Sequence, residues 1–430
     1  MRPERKEIPE TRQFPSNEFP NVRIGSDPPF HLTYCTNIHP GETWSEVAEA
    51  LEQYLPPLKT ALSPSAPFGV GLRLSDRAGR ELLRADRLGR FRAWLDAQGL
   101  YVFTLNGFPH GRFHGETVKA QVHDPDWRTD DRVAYTRRLA RILAALLPEG
   151  LTGSISTSPL AYAPGLSADE REEVLRAGSR HLAEVTATLV RIEEDTGTRL
   201  HVDLEPEPDA VLENTEESAA FFEDWLWPMG GDHLAETLGV STEEAQSLLR
   251  RHVQLCYDTC HFAVEYEGPE TAFERFRDAG ISIGKVQLSA ALRVPLSPDN
   301  RTAVRERLRP FAEDTYLHQV VERRGDGTFR AYRDLPDALP HVDDEAAREW
   351  RIHYHVPLFT DAYEGLETTR GHVPRTLDIL TDDPVCTHLE METYTWDVLP
   401  SARKTDLVTS IRREYEWVES EFAERTTAAP

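Results

Sequence analysis

Strand-like and helix-like segments alternate along almost the whole chain, and this alternation limits the possible folds more than any other feature. Apolar runs typical of strands occur near 30–37, 68–74, 100–106, 151–157, 199–205, 253–258, 282–288, 351–356 and 386–393. Helical patterns lie between most of them, at 43–55, 80–98, 131–147, 168–196, 215–227, 241–251, 269–279, 300–312, 369–381 and 403–424. Such alternation predicts a parallel sheet whose strands are connected by helices.

The polarity of the strands favours a closed barrel over an open doubly wound sheet. Strands covered on both faces of an open parallel sheet are usually apolar throughout. Here polar residues occupy one parity of several strands: His201, Asp203 and Glu205; Lys285, Gln287 and Ser289; His353 and His355; His388, Glu390 and Glu392. Since side chains alternate across a strand, each polar set faces one way. We therefore predict an α/β fold, a (β/α)8 TIM barrel with a site at its mouth.

The domain organisation follows from where the alternation begins and where it is interrupted. Residues 1–29 are rich in Pro and charge and predict an N-terminal arm, whereas 30–430 predicts one TIM-barrel domain. An insertion at 290–350 contains two strand-like runs around Gly-Asp-Gly, a hairpin signal, and loops of this length are usually lids or partner surfaces. The nine candidate strands exceed the eight of a barrel, so either 30–37 or 351–356 should lie outside the ring.

Composition excludes several classes of function. The chain has 48 Lys+Arg against 73 Asp+Glu, a net charge of −25, which disfavours nucleic-acid binding. The four cysteines form no C-x-x-C pair and predict buried thiols in a cytoplasmic protein. The N-terminus has no apolar signal region, and no run of 18 apolar residues predicts a membrane span. Motifs for nucleotide phosphates, dinucleotides and a serine nucleophile are absent from the sequence.

Three carboxylates at strand ends form the centre of the candidate site. Glu205, Asp258 and Glu392 each stand where a barrel strand should end. Burying them together without a cation is costly, because like charges repel and lose hydration. A divalent metal removes that cost; the alternative is that each carboxylate pairs with a nearby arginine. His261 follows Asp258 by three residues and is a candidate ligand, general base or hydrogen-bond partner of a ligand carboxylate.

Further polar residues extend the predicted metal site. Gln287 and Glu390 share the polar parity of their strands and are candidate ligands beside the trio and His261. An oxygen-rich set favours Mg, Mn or Co over a thiolate zinc site, although Zn stays a candidate, and no cysteine is placed well for zinc. His353 and His355 share one strand face and predict a role in substrate binding.

A Gly- and Pro-containing loop predicts part of the substrate site. Asn106, His110 and His114 follow the third clear strand, in a loop that suits substrate binding at the end of a strand; a surface loop with incidental histidines is the alternative. Lys285 is predicted as an interior salt-bridge partner in the lower barrel or as a substrate-binding residue.

The run Asp258-Thr-Cys-His261-Phe-Ala-Val-Glu-Tyr266 resembles the D-T-C-H-x-x-x-x-Y run of the endonuclease IV branch of the xylose isomerase-like barrels. In that superfamily a Glu, an Asp, a His and a second Glu from successive strand ends bind divalent metal. By this resemblance Glu205, Asp258 and Glu392 match the two Glu and the Asp, and His261 matches the extra His of the branch. Position 287 departs from the superfamily's ligand pattern, because the superfamily usually has His where this chain has Gln.

Longer stretches resemble the metabolite traffic protein EboE family. They are Thr-Leu-Asn-Gly-Phe-Pro-His-Gly-Arg-Phe-His-Gly, Gly-Ser-Ile-Ser-Thr-Ser-Pro, Thr-Tyr-Leu-His-Gln and Leu-Glu-Met-Glu-Thr-Tyr-Thr-Trp-Asp-Val-Leu-Pro. The resemblance implies a barrel grouped with sugar isomerases and epimerases and associated with a prenylated or secondary-metabolite precursor. It also leaves room for protein partners in a pathway and for a homo-oligomer.

Two functions of different classes follow. The first is a metal-dependent isomerase or epimerase of a small polyhydroxy or carbonyl metabolite, with Glu205, His261 and Glu392 as catalytic residues. The second is a metabolite-binding or traffic protein with a vestigial metal site, which the departure at Gln287 favours. Metal-assisted hydrolysis is a third hypothesis, and the negative charge disfavours DNA repair.

Overall fold

Eight parallel strands form the central ring of the protein. The computed structural model describes residues 23–24, 30–115, 117–400 and 405–428. We label the barrel strands β1 to β8 in chain order: Phe30–Tyr34, Phe68–Arg73, Leu100–Asn106, Gly153–Thr157, Leu200–Leu204, Val253–Asp258, Ile283–Leu288 and His388–Met391. Each pairs in parallel with the next along the chain from β2 to β8, and β8 pairs with β1.

The ring closes between β1 and β2 near the strands' carboxyl ends. A parallel bridge joins Cys35 to Gly71, and the Gly71 amide donates to Oγ1 of Thr33 at 2.8 Å. The short strand Arg23–Ile24 pairs antiparallel with the start of β1; the rest of the predicted arm, 1–29, lies outside the described residues. The predicted (β/α)8 barrel is confirmed.

Helices follow every strand and cover the outside of the ring. Their bounds are Trp44–Leu62, Asp76–Leu82, Arg87–Gln98, Asp130–Leu146, Ala168–Thr196, Thr215–Ala220, Gly231–Leu238, Thr242–His252, Thr259–Val264, Pro269–Asp278, Arg301–Leu308, Leu335–Ala338, His372–Asp382 and Leu407–Ala428, with a π-helical segment at Phe221–Gly230. The first of them and Ala168–Thr196 begin with complete capping boxes, at Thr43–Glu46 and Ser167–Glu170. Among the described residues no helix is long and apolar enough to cross a membrane.

A second sheet occupies the connection between β7 and the helix His372–Asp382. Its six antiparallel strands are, in spatial order, Phe329–Tyr332, Val320–Arg324, Ala347–Ile352, Leu292–Pro295, Leu366–Thr368 and Ala362–Tyr363. The first two form the predicted hairpin. Of the candidate strand near 351–356, only 351–352 belong to this sheet, at the end of Ala347–Ile352, and His353 and His355 follow that strand in a loop. The 30–37 run supplies β1 of the ring.

The polar interior of the barrel begins below the mouth with a buried ion pair. Lys285 of β7 and Glu390 of β8 lie 2.5 Å apart and are fully buried. A Cβ at Gly71 would lie only 1.8 Å from Oε1 of Glu390, so β2 requires glycine beside this carboxylate. Burial lowers the pKa of Lys285, but the adjacent charge of Glu390 outweighs it and raises that pKa above its usual value.

Candidate metal centre and substrate pocket

Three carboxylates meet at the mouth of the barrel. Glu205 directly follows β5, Asp258 ends β6 and Glu392 directly follows β8. One oxygen of each lies within 4.8 Å of the others, and all three side chains are buried. Parallel strands of a barrel end at the same face, so residues far apart in sequence converge there. The structure thus brings together the trio that the sequence singles out.

Two of the carboxylates each have one oxygen without a hydrogen-bond partner. Oε2 of Glu205 and Oδ2 of Asp258 are buried and accept no hydrogen bond from the described residues. The other oxygen of Asp258 is fully engaged: it accepts from Oγ of Ser289 at 2.5 Å and from the amides of Cys260 and His261 at 2.7 and 3.1 Å. Buried oxygens left unpaired beside further carboxylates are what a bound divalent cation would satisfy, so this donor set fits such an ion.

Glu392 is positioned by two asparagine side chains. Its Oε1 accepts from Nδ2 of Asn37 at 2.8 Å and from Nδ2 of Asn106 at 3.0 Å. Asn37 follows β1 and Asn106 ends β3, so residues from two other strand ends hold this carboxylate. The structure therefore gives Asn106, predicted to bind substrate, a direct contact to a candidate ligand.

The Gln287 side chain carries a second unsatisfied group. It is fully buried on β7, opposite Asp258 in the strand register, and neither its amide oxygen nor its nitrogen has a hydrogen-bond partner in the described part of the chain. A buried amide without partners costs free energy unless something else satisfies it. This position fits an amide-oxygen ligand.

Three histidines form a nitrogen-rich cluster beside the carboxylates. The ring centroids of His261, His353 and His355 lie 4.6 to 5.7 Å apart. The Nδ1 atom of each faces an acceptor: the carbonyl of Pro206 at 2.9 Å, Oε1 of Gln319 at 2.9 Å and the carbonyl of Glu392 at 2.7 Å, respectively. An oxygen that can only accept fixes the proton on Nδ1, which leaves a lone pair on Nε2 of a neutral ring. Nε2 of His353 and of His355 is buried without a partner.

These histidines complete two further ligand groups. Asp258, His261 and His355 present atoms within 4.8 Å of one another, and so do Glu207, His261 and His353. Asp258 therefore belongs both to the oxygen-rich group and to a nitrogen-rich group, which places two candidate cation positions side by side.

Burial and charge set the protonation of the site. Burial, with Asp258 nearby, raises the pKa of Glu205 to about 8 against the opposing charge of His261. Burial also raises the pKa of Glu392 well above its usual value and lowers that of His355 to about 4. Burial alone would lower the pKa of His261, but the carboxylate of Asp258 outweighs it and raises that pKa. Protons thus occupy the site in the absence of metal, and a cation must displace them.

Four residues of the site were not assigned from the sequence. Glu207, His123 and Asn37 line the cavity or hold a ligand, and Nε2 of His123 lies 2.8 Å from Oε1 of Glu207. Cys260 presents its sulfur within 4.8 Å of ligand nitrogens of His353 and His355, a grouping that the sequence did not indicate. The alternation of Glu205 and Glu207 after a strand could have revealed Glu207. No pattern marks His123, which lies in a 3-10 turn at Lys119–His123.

The remaining predicted residues lie in three different places. Glu390 lies on β8 and forms an ion pair with Lys285. Among the described residues, neither Glu390 nor Lys285 belongs to a ligand group or lines the cavity. His114 contacts the hydroxyl of Tyr316 at 2.8 Å at the edge of the cavity. His110 instead lies 3.9 Å from Asp76, outside the lining.

A pocket opens above the carboxylates. It is lined by Asn37, Asn106, Phe108, Pro109, Phe113, Val118, Lys119, Val122, His123, Glu205, Glu207, His261, Tyr316, Leu317, Gln319, His353, Glu392 and Tyr394. The loop after β3, the β7–helix connection and the loop after β8 all contribute to it. The site is therefore a pocket with polar groups at its base.

Glu414 in the C-terminal helix connects two loops that carry site residues. Its Oε1 accepts from the Leu358 amide at 3.1 Å and from Oγ1 of Thr393 at 2.7 Å. Burial raises its pKa to about 7. Since the folded pKa is raised, the stability it contributes is present below the ordinary value of 4.5 and is lost as the pH rises to about 7.

Replacing Glu414 with glutamine should therefore stabilise the protein at pH 8 and not at pH 4.5. Glutamine keeps the accepting oxygen without a charge, so the gain in free energy of unfolding at pH 8 is at most about 3 kcal/mol. Urea unfolding at both pH values measures it. Glu416→Gln, an exposed change on the same helix, should shift stability by less than about 0.5 kcal/mol. Equal effects of Glu414→Gln at both pH values would contradict the assignment.

Comparisons with known proteins agree on the fold alone. No family model and no curated protein matches the chain. Solved structures that match include an L-ribulose 3-epimerase (13% identity, 93% of this chain, 98% of that chain, TM-score 0.45), a D-tagatose 3-epimerase-like protein (11%, 92%, 98%, 0.46) and an IolI protein with a bound zinc atom (11%, 91%, 98%, 0.43). The barrel itself is established by the strand order.

Proposed function

We propose that the protein is a divalent-metal-dependent enzyme that isomerises or epimerises a small polyhydroxy or carbonyl metabolite. The observation that carries this proposal is the convergence of Glu205, Asp258 and Glu392 at the barrel mouth, with buried oxygens left unpaired at the base of a pocket. Gln287 and His261 complete the proposed ligand set. A family role in metabolite traffic, a cytoplasmic location and protein partners stay predictions from the sequence.

The residues of the pocket suit proton transfer next to a carbonyl. A divalent ion held by Glu205, Asp258, Gln287 and Glu392 would supply Lewis-acid polarisation of a substrate oxygen. Glu205, Glu392 or His261 would then accept and return a proton at the carbon beside the carbonyl. His261 keeps its Nδ1 on the Pro206 carbonyl, so its Nε2 is the atom available for a ligand or a proton.

Deuterium exchange tests the proposed reaction. Protein loaded with Mn²⁺ or Co²⁺ should incorporate deuterium from D2O into ketoses or aldoses at the carbon beside the carbonyl, as measured by NMR. Glu205→Gln should abolish the exchange, because the amide cannot accept the proton. Elemental analysis of the loaded variant separates this loss from a loss of metal, since Glu205 is also a proposed ligand. Glu149→Gln is the matched control, because Glu149 is exposed in the loop between the helix Asp130–Leu146 and β4. Metal-loaded protein that exchanges none of a panel of ketoses and aldoses would contradict this function.

A metabolite-binding or traffic protein is the second candidate, and Gln287 favours it. An amide oxygen is a weaker ligand than imidazole for transition metals, so the site could bind a metabolite without holding metal firmly. The two-cation arrangement that shares Asp258 favours metal-assisted hydrolysis as the third.

Replacing Gln287 with histidine should tighten Co²⁺ or Zn²⁺ binding by at least about tenfold, because imidazole is the better donor. Calorimetric titration measures this, with Gln254→His, a change on β6 away from the ligand groups, as the control. An enzyme adapted to a weakly held metal should lose turnover in this variant, whereas a carrier should keep its affinity for its metabolite. Identical metal isotherms for wild type and variant would show that Gln287 does not contact the metal.

A further inference from the structure

The outer wall of the pocket is apolar, in contrast to its base. Eight of the residues that line it share an aromatic or aliphatic side chain: Phe108, Pro109, Phe113, Val118, Val122, Tyr316, Leu317 and Tyr394. Three of them form a packed aromatic cluster, with ring centroids 5.2 Å apart for Phe113–Tyr316, 5.2 Å for Phe113–Tyr394 and 5.0 Å for Tyr316–Tyr394. This wall therefore matches an apolar surface of a ligand, whereas the base matches its oxygens.

One of the two tyrosine hydroxyls at this wall is already engaged within the protein. The hydroxyl of Tyr316 donates to the carbonyl of Phe113 at 3.0 Å and lies 2.8 Å from Nδ1 of His114. This wall therefore offers a ligand mainly ring faces and aliphatic groups, with Tyr394 as its second hydroxyl-bearing residue. Such surfaces gain free energy mainly by burying apolar area of the ligand.

The charge of the residues that line the cavity disfavours a ligand with an anionic group. Of the described lining residues, Lys119 is the single Lys or Arg, and its ammonium donates to Oδ2 of Asp334 at 2.6 Å and to the carbonyl of Glu313 at 3.1 Å. Glu205, Glu207 and Glu392 line the same cavity. A phosphate group would meet carboxylates and lack the guanidinium or free ammonium donors that usually bind it.

We infer that the pocket binds an uncharged amphipathic ligand, with vicinal oxygens at the carboxylate–histidine base and a ring or branched aliphatic body against the outer wall, and that it excludes phosphorylated sugars. This inference rests on the proposed metal-dependent function, since the oxygens are placed at the metal.

Hydroxamates test this inference, because one metal-binding head can carry different tails. The probes are acetohydroxamate, benzohydroxamate and phosphonoacetohydroxamate, titrated by calorimetry into protein loaded with Co²⁺ or Zn²⁺. Benzohydroxamate should bind at least about tenfold more tightly than acetohydroxamate, since burying an aromatic ring is worth about 1.5–3 kcal/mol. Phosphonoacetohydroxamate should bind no more tightly than acetohydroxamate.

Val122→Asp should reduce the ratio of benzohydroxamate affinity to acetohydroxamate affinity to less than about threefold. Val240→Asp, at a half-buried valine outside the pocket, is the matched control. Equal affinities for the three probes, a preference for the phosphonate, or an advantage untouched by Val122→Asp would overturn the inference while leaving the metal function intact. Failure of every probe to bind, with no metal in the protein by elemental analysis, would overturn both.

Discussion

Replacing Asp258 with asparagine is expected to lower divalent-metal affinity by more than about 100-fold, since loss of even an outer-shell partner costs about 10–100-fold. The large effect follows from the position of Asp258 in both the oxygen-rich and a nitrogen-rich ligand group. Wild-type protein purified without chelator should contain about one divalent ion per chain, because a site with several buried ligands binds metal tightly enough to keep it through purification. Elemental analysis and metal titration measure both quantities.

Asp203→Asn is the matched control for this experiment. Asp203 is also a buried barrel carboxylate, but it lies on β5 two residues before Glu205 and contacts His201 at 2.6 Å. Its replacement should leave the metal content unchanged. Two results would contradict the assigned site: wild-type protein that takes up no Mn, Co or Zn after loading, or an Asp258→Asn variant that keeps its metal.

Replacing Lys285 with methionine should destabilise the protein by about 3–5 kcal/mol, because it leaves the Glu390 carboxylate buried without its partner. Methionine fills a similar volume, so the loss reports charge and not a cavity. Urea unfolding measures the change in free energy. Lys59→Met, at a half-exposed lysine, should cost less than about 1 kcal/mol.

The double variant Lys285→Met/Glu390→Gln should recover most of that loss, since removing both charges removes the unpaired one. Its metal content should equal that of wild type if the pair is structural, as its separation from the ligand groups indicates. A double variant that is less stable than Lys285→Met, or one that loses metal, would contradict this structural role and indicate that Lys285 acts in the metal or substrate site.

The barrel was predictable because it depends on local patterns that repeat. Apolar and polar residues alternate on strands such as β5 and β8, and capping boxes mark helix starts at Thr43 and Ser167. Strand parity also identified Glu205 and Glu392, since the side chains of alternate residues must face the lumen of a closed ring. The sequence could not show which of nine strand candidates lies outside that ring, because pairing partners are a property of the whole sheet.

The sequence by itself determined the eightfold architecture and the three strand-end carboxylates at its mouth. Only the tertiary structure decided what surrounds them. The second sheet carries His353 and His355 to within reach of His261, and the 3-10 turn after the β3 loop brings His123 against Glu207. Contacts between segments so far apart in the chain leave no periodic signal, because the geometry of loops and inserted strands, and not the spacing of residues, sets which side chains meet.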